Sequence, residues 1–224
     1  MIPVHTYTAL LDVLSYKYRL EKDQKDGTLS FKDDLENALK IFDSIDNDIF
    51  HVRAISDTII LTSEMHDNFI EFLIIMQKVF FTFLESGLFI RGGIAYSRHF
   101  ENGRLTYSHA IARAYDLENK SAIYPRILID SNIIEMYKSG TDLPEIFNKQ
   151  LIVKQNGVYF LNVVGEDSWE TIYTLAAKIY AEDKQAILFN EAAFAKHQWF
   201  ENYLFNFKPQ GANQVRYIQP MLLV

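Results

Sequence analysis

Two aspartates stand where a charge is expensive. Asp57 interrupts the apolar run Ile55-Ser56-Asp57-Thr58-Ile59-Ile60-Leu61, and Asp12 sits within Thr8-Ala9-Leu10-Leu11-Asp12-Val13-Leu14. Both runs are aliphatic and β-branched and read as buried strands, where an unpaired carboxylate is costly. Strands of this kind lying side by side would bring the two carboxylates together, and a divalent cation between them would satisfy both. Magnesium is commonly held by one or two carboxylates, waters and substrate phosphates, a need that these two could meet. A pair of ions would suit phosphoryl transfer, one activating a hydroxyl and the other holding the leaving phosphates. Taken singly, either aspartate reads more readily as a hydrogen-bonded structural residue.

Other chemistries find little support. The chain has no cysteine, which removes thiolate nucleophiles, thiolate metal sites and disulfides. The six histidines, at 5, 51, 66, 99, 109 and 197, lack metal-ligand spacing and read as surface or packing residues. No Ser/His/Asp pattern stands out, so the chemistry is expected to need no protein nucleophile.

The elements that must position these residues follow from periodicity. Residues 4–14 read as a central strand. The charged stretch from Tyr16 ends in the loop signal Asp26-Gly27. Ser30 is placed to cap a helix whose apolar positions Phe31, Leu35, Leu39, Phe42 and Ile45 follow the helical period. Strands are expected at 49–55 and 58–63, then a helix at 67–86 whose only polar stripe is Glu71, Lys78 and Glu85. Such a helix belongs in a core or, less readily, at a subunit interface. A strand over Leu88–Tyr96 contains Gly92-Gly93, the mark of a bulge or a close backbone approach. Asn102-Gly103 turns into Leu105-Thr106-Tyr107, a helix covers 109–120, and Ile127-Leu128-Ile129 is a further strand. Thr141-Asp142-Leu143-Pro144 opens a short helix, and Asn156-Gly157 joins strands at Leu151–Val153 and Val158–Val163. Helices follow at Trp169–Ala181 and about Asn190–Asn206, then a polar tail ending in Met221-Leu222-Leu223-Val224. An α+β fold with an antiparallel-rich sheet results, divided into residues 1–165 and a helical C-terminal extension, 166–224, packed on the same domain.

The bulk numbers agree with a folded chain. Of 224 residues, 49% are hydrophobic, enough for a sizeable core. A net charge of −7 without any dense Lys/Arg run argues against nucleic acid as a partner. The apolar segment Phe69–Phe83 is too short to span a bilayer and contains Glu71, Gln77 and Lys78. Met1-Ile2-Pro3-Val4-His5 lacks the regions of a signal peptide, so a soluble cytoplasmic protein is expected.

Several segments together resemble the class III nucleotidyl cyclases, whose palm is ferredoxin-like. They are Leu11 to Tyr16, the Asp57 hairpin, Leu88-Phe89-Ile90-Arg91-Gly92-Gly93-Ile94 and Ala114-Tyr115-Asp116-Leu117-Glu118. With Tyr124-Pro125-Arg126-Ile127 and Lys196-His197-Gln198-Trp199, the chain looks more narrowly like the pyrimidine nucleotide cyclases of the Pycsar antiphage system. The resemblance implies that Asp12 and Asp57 bind two magnesium or manganese ions, with the Val13 carbonyl as a further ligand. It implies that Ser15 and Tyr16, in the turn after the first strand, hold the triphosphate through backbone amides. Serine there stands where a glycine is common. Arg91 matches the strand arginine that contacts phosphates, and Arg53 falls where purine cyclases carry a base-selecting lysine.

One helix departs from that pattern. Purine cyclases carry an asparagine and, four residues on, a transition-state arginine; Ala112 and Asp116 occupy those frames here. Arg113 is the candidate substitute, set against an even chance that it is a solvated helix residue, while Arg126 reads as a fold organiser and Tyr115 equally as core. The resemblance also implies a head-to-tail homodimer acting on a nucleoside triphosphate, UTP before CTP, whose cyclic product is read by a separate effector. Two alternatives stay open: a purine cyclase with unconventional residues, and a catalytically silent cyclase-fold domain that binds a nucleotide or a partner. Retention of both aspartates speaks against the silent domain, because unpaired buried carboxylates would be a liability without metal.

Overall fold

A computed structural model describes residues 4–64, 69–102, 104–138, 146 and 148–219. The chain divides into two compact units, Met1–Val163 and Val164–Val224. In the first, the elements run β1 (Val4–Val13), α1 (Tyr16–Asp26), α2 (Ser30–Leu39), a 3-10 turn (Lys40–Ser44), β2 (Phe50–Ile55), β3 (Thr58–Ser63) and α3 (Phe69–Glu85). They continue with β4 (Ile90–Glu101), β5 (Thr106–Ser108), α4 (His109–Ser121), β6 (Ile127–Ile129), α5 (Ser131–Lys138), β7 (Ile152–Gln155) and β8 (Val158–Leu161).

All eight strands join one sheet in the order β2-β3-β1-β4-β6-β8-β7, with β5 on the far part of β4. Strands β2, β3, β1 and β4 pair antiparallel throughout. With helices inserted between β1 and β2 and between β3 and β4, they form the ferredoxin-like βαββαβ arrangement. The expected antiparallel-rich α+β fold is the one observed; β4 and β6 form the parallel pair.

Alternation along β1 separates two faces. Tyr7, Ala9, Leu11 and Val13 are almost fully buried. The Tyr7 ring stacks on Phe69 of α3 at 5.1 Å and its hydroxyl lies 2.5 Å from that of Tyr137. The polar stripe of α3 is solvent-exposed and the rest is packed, so this helix is a core element. On the opposite face, Leu10 and Ala95 pack with Ala114 of α4. Gly93 makes that packing possible. A Cβ there would lie 2.5 Å from the Ala114 carbonyl oxygen and 2.6 Å from the Leu117 Cβ. A Cβ at Gly92 would strike the Leu10 carbonyl oxygen and stand 2.7 Å from Leu11 Cδ2. The glycine pair is a close approach, as its type suggests.

Several expectations are corrected. The charged stretch after Ser15, to which the sequence pattern gives no element, is the helix α1; it buries only Asp23 and ends at the left-handed Gly27. Ser30 does not cap α2 with its side chain. Its hydroxyl donates to Asp23 at 2.8 Å, and Asp23 Oδ2 accepts the Phe31 amide at 3.0 Å, so a carboxylate from α1 ties down the start of α2. Burial works to raise the Asp23 pKa, but bonds from Ser30, Thr28 and the Phe31 and Lys32 amides leave it lowered. The strand at Gly92-Gly93 runs on to Glu101, five residues beyond Tyr96, because β5 pairs with its far end. Tyr115 is 51% exposed rather than core. The helix expected to open at Thr141-Asp142-Leu143-Pro144, the Gly103 of the turn and the Met221–Val224 end lie outside the described residues. Among the described residues, no helix is long and apolar enough to cross a membrane.

The second unit holds α6 (Trp169–Glu182), the short α7 (Lys184–Ile187) and α8 (Glu191–Asn206). The Trp169 indole donates to the Leu204 carbonyl at 2.7 Å, joining α6 to α8. Glu201, 2% exposed, accepts the Ile218 amide at 2.7 Å and Arg216 at 3.0 Å, fastening the following segment to α8.

Candidate active site

Register carries the two aspartates to one corner of the sheet. Asp12 faces Thr58 on β3 and Arg91 on β4, near the C-terminal end of β1. Asp57 lies in the two-residue turn joining β2 to β3, after Ser56 in the left-handed conformation (φ 60°). The Val13 amide donates to the Asp57 carbonyl at 3.0 Å, and the Leu14 amide to Phe89 at 2.9 Å. The turn is thus stitched to the residue after Asp12. Both aspartates are half-buried.

The chain leaves this corner through Ser15, which takes the left-handed conformation (φ 64°, ψ 15°) and leads straight into α1. A serine reproduces here the bend a glycine makes without strain, at roughly 1–2 kcal/mol for a side chain in that region. Its side chain caps no amide and the first turn of α1 has no acidic residue. An anion at this end meets the positive end of the helix dipole. Tyr16, the first helical residue, sets its ring edge against Phe31 at 5.2 Å.

Arg91 is fully engaged by protein. Its Nε donates to Asp12 Oδ2 at 2.9 Å, its Nη2 lies 2.7 Å from Glu118 Oε1, and Nη1 donates to the Ala122 carbonyl at 3.3 Å. Glu118 is a residue of this corner that its sequence context does not single out. The signal it carries is its place on the α4 stripe that also buries Ala110 and Ala114. Burial raises its pKa; Arg91 opposes the shift and the charges of Asp12 and Asp57 add to it. The pairing also revises one inference. Asp12 is not an unpaired carboxylate, so its presence alone does not argue for metal.

The remaining candidates lie on the same α4-side face or beside it. Arg53, opposite Ile60 in the β2–β3 ladder, forms an ion pair with Glu101 and donates to Thr106 Oγ1 at 3.3 Å. It lines a cavity of about 320 Å³ with Ile55, Ile60, Glu101, Thr106 and Ile111. Among the described residues, Arg113 pairs with Asp130 and not with either aspartate of the corner. Its Nε and Nη2 both reach Asp130 Oδ2 at 2.7 Å, at the end of β6. Ala112 and Asp116 are exposed on α4, with Asp116 2.8 Å from Lys120. Arg126 lies over the Tyr124 and Phe160 rings at 5.4 and 5.5 Å, a packing role.

Among the described residues, no group of three or more His, Asp or Glu side chains is arranged to hold a metal ion. Two carboxylates, with the carbonyl of Val13 next in the chain to Asp12, are hard oxygen donors. They fit a magnesium- or manganese-type ion that takes its remaining ligands from water and phosphate.

No protein-family model matches the chain, and no curated protein matches it. Among solved structures, a bacterial light-regulated adenylyl cyclase is similar at 11% identity and a TM-score of 0.43. That match covers 78% of this chain, which spans 59% of the length of the cyclase. The guanylyl cyclase Cya2 is similar at 14% identity and a TM-score of 0.33, over 74% of this chain and 96% of Cya2.

Proposed function

We propose that the chain is a nucleotide cyclase that converts a pyrimidine nucleoside triphosphate, UTP before CTP, to its 3′,5′-cyclic monophosphate and pyrophosphate. The observation that carries this reading is the aspartate corner. Asp12 at the end of β1 and Asp57 in the β2–β3 turn, whose carbonyl accepts the Val13 amide, stand close to a helix N-terminus free of acidic residues. In the reaction the ribose 3′-oxygen bonds to the α-phosphorus, the bond from that phosphorus to the β-phosphate bridging oxygen breaks, and the hydroxyl proton is lost to solvent. Two divalent ions, when bound, would supply Lewis-acid activation of the hydroxyl and charge neutralisation at the leaving pyrophosphate. Asp12, Asp57 and the Val13 carbonyl would hold them. The first amides of α1, from Tyr16 onward, bind phosphate, and Ser15 sets the bend that aims them.

Arg53 reads the base from the neighbouring cavity, with Ile55, Ile60 and Ile111 providing apolar contact. The UTP preference rests on the resemblance to the Pycsar cyclases, as does a role in antiphage signalling through a separate effector. Purine triphosphates fit the same corner equally. The active form is a homodimer; exposed apolar residues beside the cavity and on α4, Ile55 and Tyr115 among them, suit a second copy. A silent nucleotide-binding domain is the second reading, and the capture of Asp12 by Arg91 favours it.

The deciding experiment incubates the protein with each of the four nucleoside triphosphates and Mn²⁺ and identifies products by mass spectrometry. Cyclic UMP or CMP is expected, and Asp57→Ala should lower the rate by more than about a thousandfold. Cyclic AMP or GMP alone would move the substrate to purines. No product from any triphosphate would leave the silent domain.

A further inference from the structure

One guanidinium, that of Arg91, stands between two carboxylates, Asp12 and Glu118. Arg91 lies directly opposite Asp12 in the β1–β4 register, so the two side chains share a face and pair at 2.9 Å. Gly93, two residues along the same strand, lets α4 approach closely enough for Glu118 to reach the other side of the guanidinium. Glu118 itself is 5% exposed and depends on Arg91 for its ion pair. Asp57 adds its charge to the same field. A planar fork can hold two carboxylates at once, as an ammonium cannot.

We infer that Arg91 is an internal counter-cation that competes with divalent metal for Asp12, and that Glu118 is the positioning residue that draws it off. This rests on the reading of Asp12 and Asp57 as metal ligands. Arg91 holds Asp12 through its Nε. When Asp12 turns its oxygens to a cation, Arg91 keeps Glu118 and the Ala122 carbonyl and so stays at the corner rather than being released to solvent. Glu118 is not a ligand; it lowers the cost of freeing Asp12.

A double-mutant cycle on Mn²⁺ binding tests this, with free Mn²⁺ read by electron paramagnetic resonance and folding by near-ultraviolet circular dichroism. Glu118→Gln leaves Arg91 committed to Asp12 and should weaken Mn²⁺ binding about tenfold, whereas Arg91→Gln should tighten it. In the Arg91→Gln background the Glu118→Gln effect should vanish. Charge alone would give the same signs in the single variants but an additive cycle, and additivity overturns the inference. Should Arg91→Gln not fold, Arg91→Lys takes its place. The fork is lost with the charge kept, so the Glu118 effect should again collapse; if it persists at full size, the latch is wrong. Asp12→Asn separates the two readings. Mn²⁺ bound equally well by that variant would remove Asp12 from the site altogether, independently of the cycle.

Discussion

His99 and Glu118 are both ionisable residues inside the protein, and their surroundings push them in opposite ways. Burial lowers the His99 pKa, with Glu64 opposing and Arg53 and His51 reinforcing the shift. Glu101 stands 3.6 Å from its Nε2, beyond hydrogen-bond reach. Above the ordinary imidazole value both folded and unfolded chains carry neutral His99, and it adds no pH dependence. Below about pH 6.5 the unfolded chain takes up a proton that the folded chain resists, so stability falls as pH drops toward the lowered folded value. Urea midpoints at about pH 7.5 and pH 5.5 should therefore differ more in the wild type than in His99→Gln. Equal differences would mean that His99 is not held neutral. Neither residue was legible as special in the sequence. His99 sits beyond Tyr96, where the sequence pattern ends its strand, and Glu118 looks like any helical glutamate until α4 is docked. Asp12 and Asp57 were legible because a lone carboxylate in an aliphatic run is conspicuous before any fold is known.

Among elements, β4 and α4 form the pair on which the corner depends. The close approach at Gly93 could be read from its type and place in a strand; the partner it admits could not. Gly93→Ala must push the α4 backbone outward, since its Cβ would lie 2.5 Å from the Ala114 carbonyl oxygen. A loss of about 1–3 kcal/mol is expected from overpacking. Chemical denaturation would measure it, and an unchanged midpoint would show that α4 shifts freely. Helix α1 escaped notice because it buries nothing but Asp23, leaving no apolar stripe to give the helical period. Helix α5 escaped because eight residues with Ile133, Ile134 and Tyr137 buried show barely two turns of pattern. The longer strands and α3 were legible from their apolar runs, the three-residue β6 from its Ile-Leu-Ile run, and the Asn156-Gly157 turn announced its hairpin, with φ of 49° and 79°.

For the whole molecule, the question is whether one chain completes a site. Arg53 and Asp57 lie on one hairpin; under the proposed head-to-tail dimer, Arg53 of one copy would serve the aspartates of the other. Mixing Asp57→Ala with Arg53→Ala, each inactive alone, should then restore about a quarter of wild-type cyclase activity. Half of randomly paired dimers are mixed, and each mixed dimer has one intact site of two. No recovery, with sedimentation showing that subunits exchange, would place the site within a single chain. The topology was legible as an antiparallel-rich α+β sheet, whereas the dimer came from the resemblance alone, because the chain's own pattern of apolar residues does not mark which of them stay exposed.

The paired register of β1 bears on how such a chain can change over generations. Asp12 reaches the corner only because it shares parity with Leu10 and Thr8, while Tyr7, Ala9 and Leu11 point the other way. Adding or deleting one residue within the strand would turn Asp12 toward the aromatic layer of Tyr7 and Phe72 and bring a leucine or valine to the corner. Outside the tight positions Gly92 and Gly93, descendants of this gene can exchange residue types of like size along β1 and β4, yet a single-codon insertion there dismantles the corner at once. Length differences among its cousins should collect in the connections and spare these two strands.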